Sequence, residues 1–413
     1  MSDHESPAVR RFDDWDAARL RALADECATP LYVVDLDRVR ENYRRIDRAF
    51  PDATVHYAAK ANASRAVLET LRGEGAGIEC ASAGEVYRAL DAGVDGSDIL
   101  YTAVNPPAED LDYAVEVDGI TITAGAEDTV DRLAERGYDG RLCVRVNPGV
   151  GAGHHPHVRT GSNPKFGVPL DRAADLLTEA DAAGFEVVGV HAHAGSGISD
   201  EDLTAHRELV SRMGELVRDV PISLEFVDVG GGFGVPYRPE EEPLNLDRVA
   251  AATREALGDV DADLHVEPGR FVVADAGVLL TRVNTVKEAD GTTVVGVDAG
   301  MTTLLRPALY DAYHHVWSLA PDADERVVRT ATVAGPICES ADVFGTSYDL
   351  PEPSREDLLA VGNAGAYGEE MASQYNSRPR PATVAVDGDR TAVVREGETF
   401  EDLLEREREV PWL

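Results

Sequence analysis

From about residue 54, short apolar runs rich in β-branched residues alternate with longer stretches whose apolar positions recur at helical spacing. The runs that predict strands are 54–59 (TVHYAA), 76–81 (AGIECA), 97–102 (SDILYT), 118–123 (DGITIT), 140–147 (GRLCVRVN), 187–194 (VVGVHAHA), 223–230 (SLEFVDVG) and 262–267 (ADLHVE). Between them, Ser64–Arg72, Ala126–Arg136, Asp171–Ala183 and Glu201–Val217 predict amphipathic helices. Eight strands alternating with helices predict an α/β fold built on a parallel (β/α)8 barrel. An open doubly wound sheet is the competing arrangement, but no GxGxxG follows the first strand.

The pattern changes after Phe271. Runs such as VLLTRVNTV, TTVVGVDAG, RVVRTATVAG and ATVAVDGDRTAVVREG are strand-like, carry Asp-Gly turn signals and leave little room for helices. The expected organisation is an N-terminal segment at 1–30 packing with the β domain, a barrel at 31–271 and a mostly β domain at 272–413. The PEEEP run at 239–243 reads as a solvated loop.

Charge narrows the partners. Of 413 residues, 76 are Asp or Glu against 39 Lys or Arg, a formal net charge of -37. That balance excludes nucleic-acid binding, which needs a basic footprint, and disfavours anionic membranes. The acids are spread along the whole chain, so the expectation is a surface adapted to high salt, as in a halophile, more than a steering patch. Lysine survives only at Lys60, Lys165 and Lys287. The four cysteines, Cys27, Cys80, Cys143 and Cys338, show no CxxC spacing. With a polar opening and no apolar run of membrane-spanning length, they lead to the expectation of a cytoplasmic protein.

The chemistry-bearing residues share one address on the predicted barrel. Lys60 ends the first strand, Asn147-Pro148 the fifth, and His193 with Gly195-Ser196 the sixth. Gly230-Gly231-Gly232-Phe233-Gly234 ends the seventh, and Glu267-Pro268-Gly269-Arg270 the eighth. The C-terminal face of a β/α barrel is where active sites are built. A glycine-rich loop lets backbone N–H groups approach a phosphate, with Gly269 and Arg270 adding donors. A lysine amine can condense with an aldehyde, a carboxylate at Glu267 can hold a pyridine nitrogen protonated, and a flat imidazole at His193 can stack on the ring. Those parts call for pyridoxal 5'-phosphate (PLP). No metal site is expected. His191-x-His193 has the form of a hydrolase metal pair, but that pattern belongs on a first barrel strand.

These residues resemble a known family. Tyr57-Ala-Ala-Lys60-Ala-Asn62, His191-Ala-His193-Ala-Gly-Ser196, the 230–234 glycine run and Glu267-Pro-Gly-Arg270 look like the fold-type III PLP decarboxylases. The match tightens toward the diaminopimelate decarboxylases through His157-Val-Arg-Thr-Gly161, Lys165-Phe-Gly167, Asp298-Ala-Gly-Met301 and Arg306-Pro-Ala-Leu-Tyr310. Asp311-Ala-Tyr-His-His315, Gly335-Pro-Ile-Cys-Glu-Ser340, Ala364-Gly-Ala-Tyr-Gly368 and Met371-Ala-Ser-Gln-Tyr-Asn-Ser-Arg-Pro379 extend it. The chain departs from the family at Gly197, Phe271 and Ala341 and in the Thr102-Ala-Val-Asn-Pro-Pro107 segment, which bears on substrate detail more than on cofactor use.

The resemblance implies a role for each residue. Lys60 would carry PLP as a Schiff base, Glu267 would pair with the pyridine nitrogen and His193 would stack on the ring. Ser196, Gly230, Gly231, Gly232, Gly269 and Arg270 would surround the phosphate, and Tyr367 would complete cofactor and substrate binding. Arg270, Arg306, Tyr310 and Glu339 would bind substrate. Cys338 or Lys60 would reprotonate the α-carbon after CO2 leaves, with Cys338 and Glu339 supplied by the second subunit of a homodimer. Diaminopimelate carries a carboxylate and an ammonium at its far end, which suits arginine together with Glu339. Two alternatives stay open, a decarboxylase of another basic amino acid of the ornithine or arginine type and a non-catalytic PLP-binding regulator.

Overall fold

Leu31–Asp35 (β1) is apolar at four consecutive positions and buried throughout, and it is paired along both edges. It runs antiparallel to Gly277–Ala289 with Leu31 opposite Leu280, and parallel to Ala382–Asp387 with Leu31 opposite Ala382. The sequence places residue 31 at the start of the barrel; the structure puts this strand in the other sheet. A strand apolar on both faces suits the middle of any covered sheet, so its pattern does not say which one it joins.

The computed structural model describes residues 8–153, 163–199 and 202–412. The motif at 157–161 lies outside them. Two units result: one holds the described residues up to Arg38, Pro236–Glu242 and everything from Val273, the other Val39–Val235 and Pro243–Val272.

The second unit is the barrel. Its strands are β2 (Ala53–Ala58), β3 (Gly77–Cys80), β4 (Ile99–Tyr101), β5 (Thr121–Ala124), β6 (Arg141–Asn147), β7 (Glu186–His191), β8 (Phe226–Asp228) and β9 (Asp263–Val266). Each pairs in parallel with the next, and β9 closes on β2 with Val266 opposite Val55. The helices between them turn apolar stripes inward, as Val67, Leu68 and Leu71 do on Arg65–Gly73. Their ends follow local chemistry. Ser82 accepts from the Glu85 N–H at the start of Ala83–Asp91, Asn245 accepts from the Arg248 N–H at the start of Leu246–Leu257, and Gly184 ends Leu170–Ala183 at φ +101.

The other unit is mostly β. Beyond β1 it contains β10 (Gly277–Ala289), β11 (Thr292–Val297), β12 (Val316–Ser318), β13 (Val328–Ala334), β14 (Val343–Pro351), β15 (Leu358–Val361), β16 (Ala382–Asp387) and β17 (Arg390–Arg395). Asp290-Gly291, both at positive φ, form the two-residue turn of the β10–β11 hairpin. The period of two sorts the side chains onto two faces. Tyr32 and Leu279 enter one core with Val295 and Val333, while Leu31, Val33, Val278 and Leu280 enter another with Leu20, Leu23 and Ala24 of the N-terminal helix. Residues 239–242 are exposed, the solvated loop that their charge predicts. No helix among the described residues is long and apolar enough to cross a membrane.

Candidate active site

Lys60 sits in a single helical turn, Ala59–Ala61, where β2 ends. Its Nζ pairs with Glu79 at the next strand, and the Thr102 hydroxyl donates to the other oxygen of the same carboxylate. Glu79 is 2% exposed and Lys60 42%, so the acid is built into the wall while the amine reaches the open side. Strand adjacency alone brings the two within reach, because β2 and β3 pair with Ala58 opposite Glu79.

At the end of β9, Glu267 Oε2 lies 3.2 Å from His191 Nε2 of β7, at 5% and 1% exposure. Burial opposes the charge on Glu267. His191, with Lys60 contributing, outweighs it and holds the carboxyl well below the usual range. Asp228 moves the other way, pushed up by burial and by the Glu267 charge. The second oxygen of Glu267, Oε1, is buried and has no hydrogen-bond partner among the described residues. A buried acceptor without a donor is costly unless a ligand supplies one.

The glycine run after β8 is dictated by crowding. A Cβ on Gly231 would stand 1.9 Å from the Glu267 carbonyl oxygen, and Gly230 adopts φ +73. The Gly230 N–H donates to Asp228 Oδ1 at 2.7 Å and the Gly231 N–H to His193 Nδ1 at 3.2 Å. His193 therefore accepts at Nδ1 and, when neutral, carries its proton on Nε2. Burial, helped by the Arg145 charge, pushes it down to about 3, which keeps it neutral. Arg270 Nη2 donates to Ser196 Oγ at 3.1 Å, and Gly269 packs against Ala58 and Ala61 beside the lysine turn.

In the barrel unit the structure thus gathers Lys60, His193, Ser196, Gly230, Gly231, Gly232, Glu267, Gly269 and Arg270. The remaining candidates lie on the β unit. Arg306 is buried, with its guanidinium 4.9 Å from the Tyr237 ring centre, and begins the helix Arg306–Tyr310. Tyr367 is held at φ +55, a conformation non-glycine residues adopt at a cost. Cys338 is exposed, with Sγ 3.3 Å from Asn376 Oδ1, and the exposed Glu339 accepts from the Tyr375 hydroxyl.

Five barrel residues at the site carry no assigned role in the sequence reading: Glu79, Thr102, Arg145, His191 and Asp228. Arg145 is buried on β6 with its guanidinium 5.1 Å from the Phe166 ring centre. The signal for four of them was present. Glu79, Arg145, His191 and Asp228 are ionisable residues inside otherwise apolar strands, a placement that carries a desolvation cost and calls for a partner.

These residues fit PLP. The amine can bind its aldehyde, the unpartnered Glu267 oxygen can accept from its protonated ring nitrogen, and the glycine turn with Arg270 and Ser196 can hold its phosphate. Such a barrel and site define a PLP-dependent decarboxylase. The pyridoxal-binding domain of the pyridoxal-dependent decarboxylases matches residues 36–274. A diaminopimelate decarboxylase from Methanothermobacter thermautotrophicus is 46% identical over 404 residues, covering 94% of each chain, and one from Aquifex aeolicus is 34% identical over 399 residues, again 94% of each. The crystal structure of diaminopimelate decarboxylase from Helicobacter pylori complexed with L-lysine matches with a TM-score of 0.88 at 33% identity, over 94% of this chain and 98% of that one. The chain belongs to the diaminopimelate decarboxylase family of PLP-dependent carboxy-lyases.

Proposed function

We propose that this enzyme decarboxylates meso-2,6-diaminopimelate to L-lysine and CO2. The observation that carries the reading is the buried Oε1 of Glu267, without a donor among the described residues, on the same barrel rim as Lys60. A carboxylate at that point keeps a pyridine nitrogen protonated, which favours loss of CO2. The relatives named for this reaction cover nearly the whole chain.

When bound, PLP supplies an electron sink for the pair released as the carboxylate leaves. The protein does the rest. Lys60 Nζ would hold the cofactor and is the amine placed to exchange with that of the substrate. Glu267 Oε1 would accept from a protonated ring nitrogen, and neutral His193 would offer a flat ring to stack on the cofactor. The Gly230–Gly232 backbone, Gly269, Arg270 and Ser196 would hold the phosphate. Arg270, Arg306, Tyr310, Glu339 and Tyr367 recognise substrate, and a proton returns to the α-carbon from Cys338 or Lys60. Cys338 and Glu339 act in the site of a second copy, which makes the homodimer the working unit; their exposure on the β unit supports this. Four free cysteines support a reducing cytoplasm, and the charge of -37 with three lysines supports a high-salt one.

The test is CO2 release from a panel of meso-diaminopimelate, ornithine, arginine and lysine. Turnover should be fastest with diaminopimelate; equal turnover of ornithine or arginine would remove the substrate assignment and leave the cofactor one standing.

A further inference from the structure

Among the described residues, three carboxylates are buried in the barrel core: Glu79, Asp228 and Glu267. The cations facing them are Lys60 and Arg145, and the histidines around them are His56, His191, His193 and His265. Glu79 is paired with Lys60, and Glu267 with His191. Asp228 has neither kind of partner. It is 0% exposed, its Oδ1 accepts the Gly230 N–H, and its Oδ2 has no hydrogen-bond partner among the described residues.

Asp228 stands between two clusters. One carboxylate oxygen lies within 4.8 Å of ligand atoms on both His191 and Glu267, and one lies within the same limit of His56 and His265. The Nδ1 atoms of His56 and His265 are also buried, with no hydrogen-bond partner among the described residues. The His265 ring is pinned flat against Phe226, with ring centres 4.2 Å apart, and sits 5.0 Å from His56. Two carboxylates this close and cut off from water do not both ionise; the one with the better partners keeps the charge. Here that one is Glu267.

We propose that Asp228 is a positioning residue that works in its uncharged form. Its Oδ1 fixes the Gly230 turn that starts the phosphate loop, and its Oδ2 carries a proton toward the His56–His265 pair. Glu267 is then left as the one carboxylate whose charge faces the cofactor ring, a consequence that rests on the PLP reading above. The direction in which burial and Glu267 push Asp228 agrees with this. A metal ion shared by His56, Asp228 and His265 is the weaker account. A closed tetrahedral zinc site takes four ligands, and this set offers three among the described residues.

Two measurements decide it. In the apoprotein at neutral pH, infrared difference spectra should show the carbonyl stretch of a protonated carboxylic acid that disappears in Asp228→Asn. For PLP binding, Asp228→Asn should keep affinity within about threefold, because the amide preserves shape, neutrality and the acceptor for Gly230, whereas Asp228→Ala should lose about tenfold or more. No protonated-acid band, or an Asn variant as impaired as the Ala variant, overturns the proposal. Stoichiometric Co2+ binding that Asp228→Asn abolishes also overturns it, in favour of a cation. If the wild type takes up no PLP that borohydride fixes to Lys60, the cofactor reading fails, and the infrared result still decides the state of Asp228.

Discussion

His191 Nε2 and Glu267 Oε2 meet at 3.2 Å with both side chains almost sealed from solvent. The pair keeps a buried carboxylate ionised at the bottom of the site, and that charge is what the ring nitrogen would meet. Glu267 lies below its ordinary range in the folded state, so its contribution to stability is present above the unfolded value of about 4.3 and is lost as pH falls through the folded value. Replacing His191 with Phe removes the partner and leaves the acid buried. Neutral-pH stability should fall by about 3 kcal/mol, and the acid unfolding midpoint should move to higher pH. Denaturant melts at several pH values check both; an unmoved midpoint would show that His191 does not hold the charge.

Lys60→Ala should abolish the absorbance of protein-linked PLP and the borohydride-trapped adduct, and activity should drop to background. Peptide mapping after reduction of the wild type should place the adduct on Lys60. Label on Lys165 or Lys287 would overturn the assignment, and with three lysines in the chain the result is easy to read.

Two glycine replacements should separate crowding from propensity. A Cβ at Gly231 would sit 1.9 Å from the Glu267 carbonyl oxygen, whereas one at Gly73 would meet nothing within 4 Å. Gly231→Ala should cost about 1–3 kcal/mol or more and sharply weaken PLP binding, because the turn must shift. Gly73→Ala, at the end of a helix, should be neutral or stabilising by up to about 1 kcal/mol. Thermal melts and PLP titrations of the pair test the contrast.

Salt should stabilise the folded chain. With a net charge of -37, self-repulsion is a standing cost, and raising salt from 0.1 to 1 M shortens the screening length from about 10 Å to about 3 Å. Tm should climb steadily across that range in KCl; a flat or falling Tm would count against adaptation to high salt.

Much of this protein is settled by residues that are local in the chain. The eight barrel strands follow from β-branched runs between helical stretches, and the rim residues follow from what stands at each strand's C-terminal end. Lys60, the 230–232 glycines and Glu267 were legible for that reason: each sits where a period ends and a turn begins. Partnership was not legible. Glu79 meets Lys60 because β2 and β3 lie side by side, and His191 meets Glu267 across 76 residues of chain. Leu31–Asp35 is apolar enough for either sheet, and only pairing with β10 and β16 assigns it to the β unit. A sequence records which side chains are costly to bury, but their charge states depend on neighbours that the closed barrel supplies. Asp228 and Glu267 are both strand-borne acids in the sequence; the closed barrel surrounds them differently and so divides their roles.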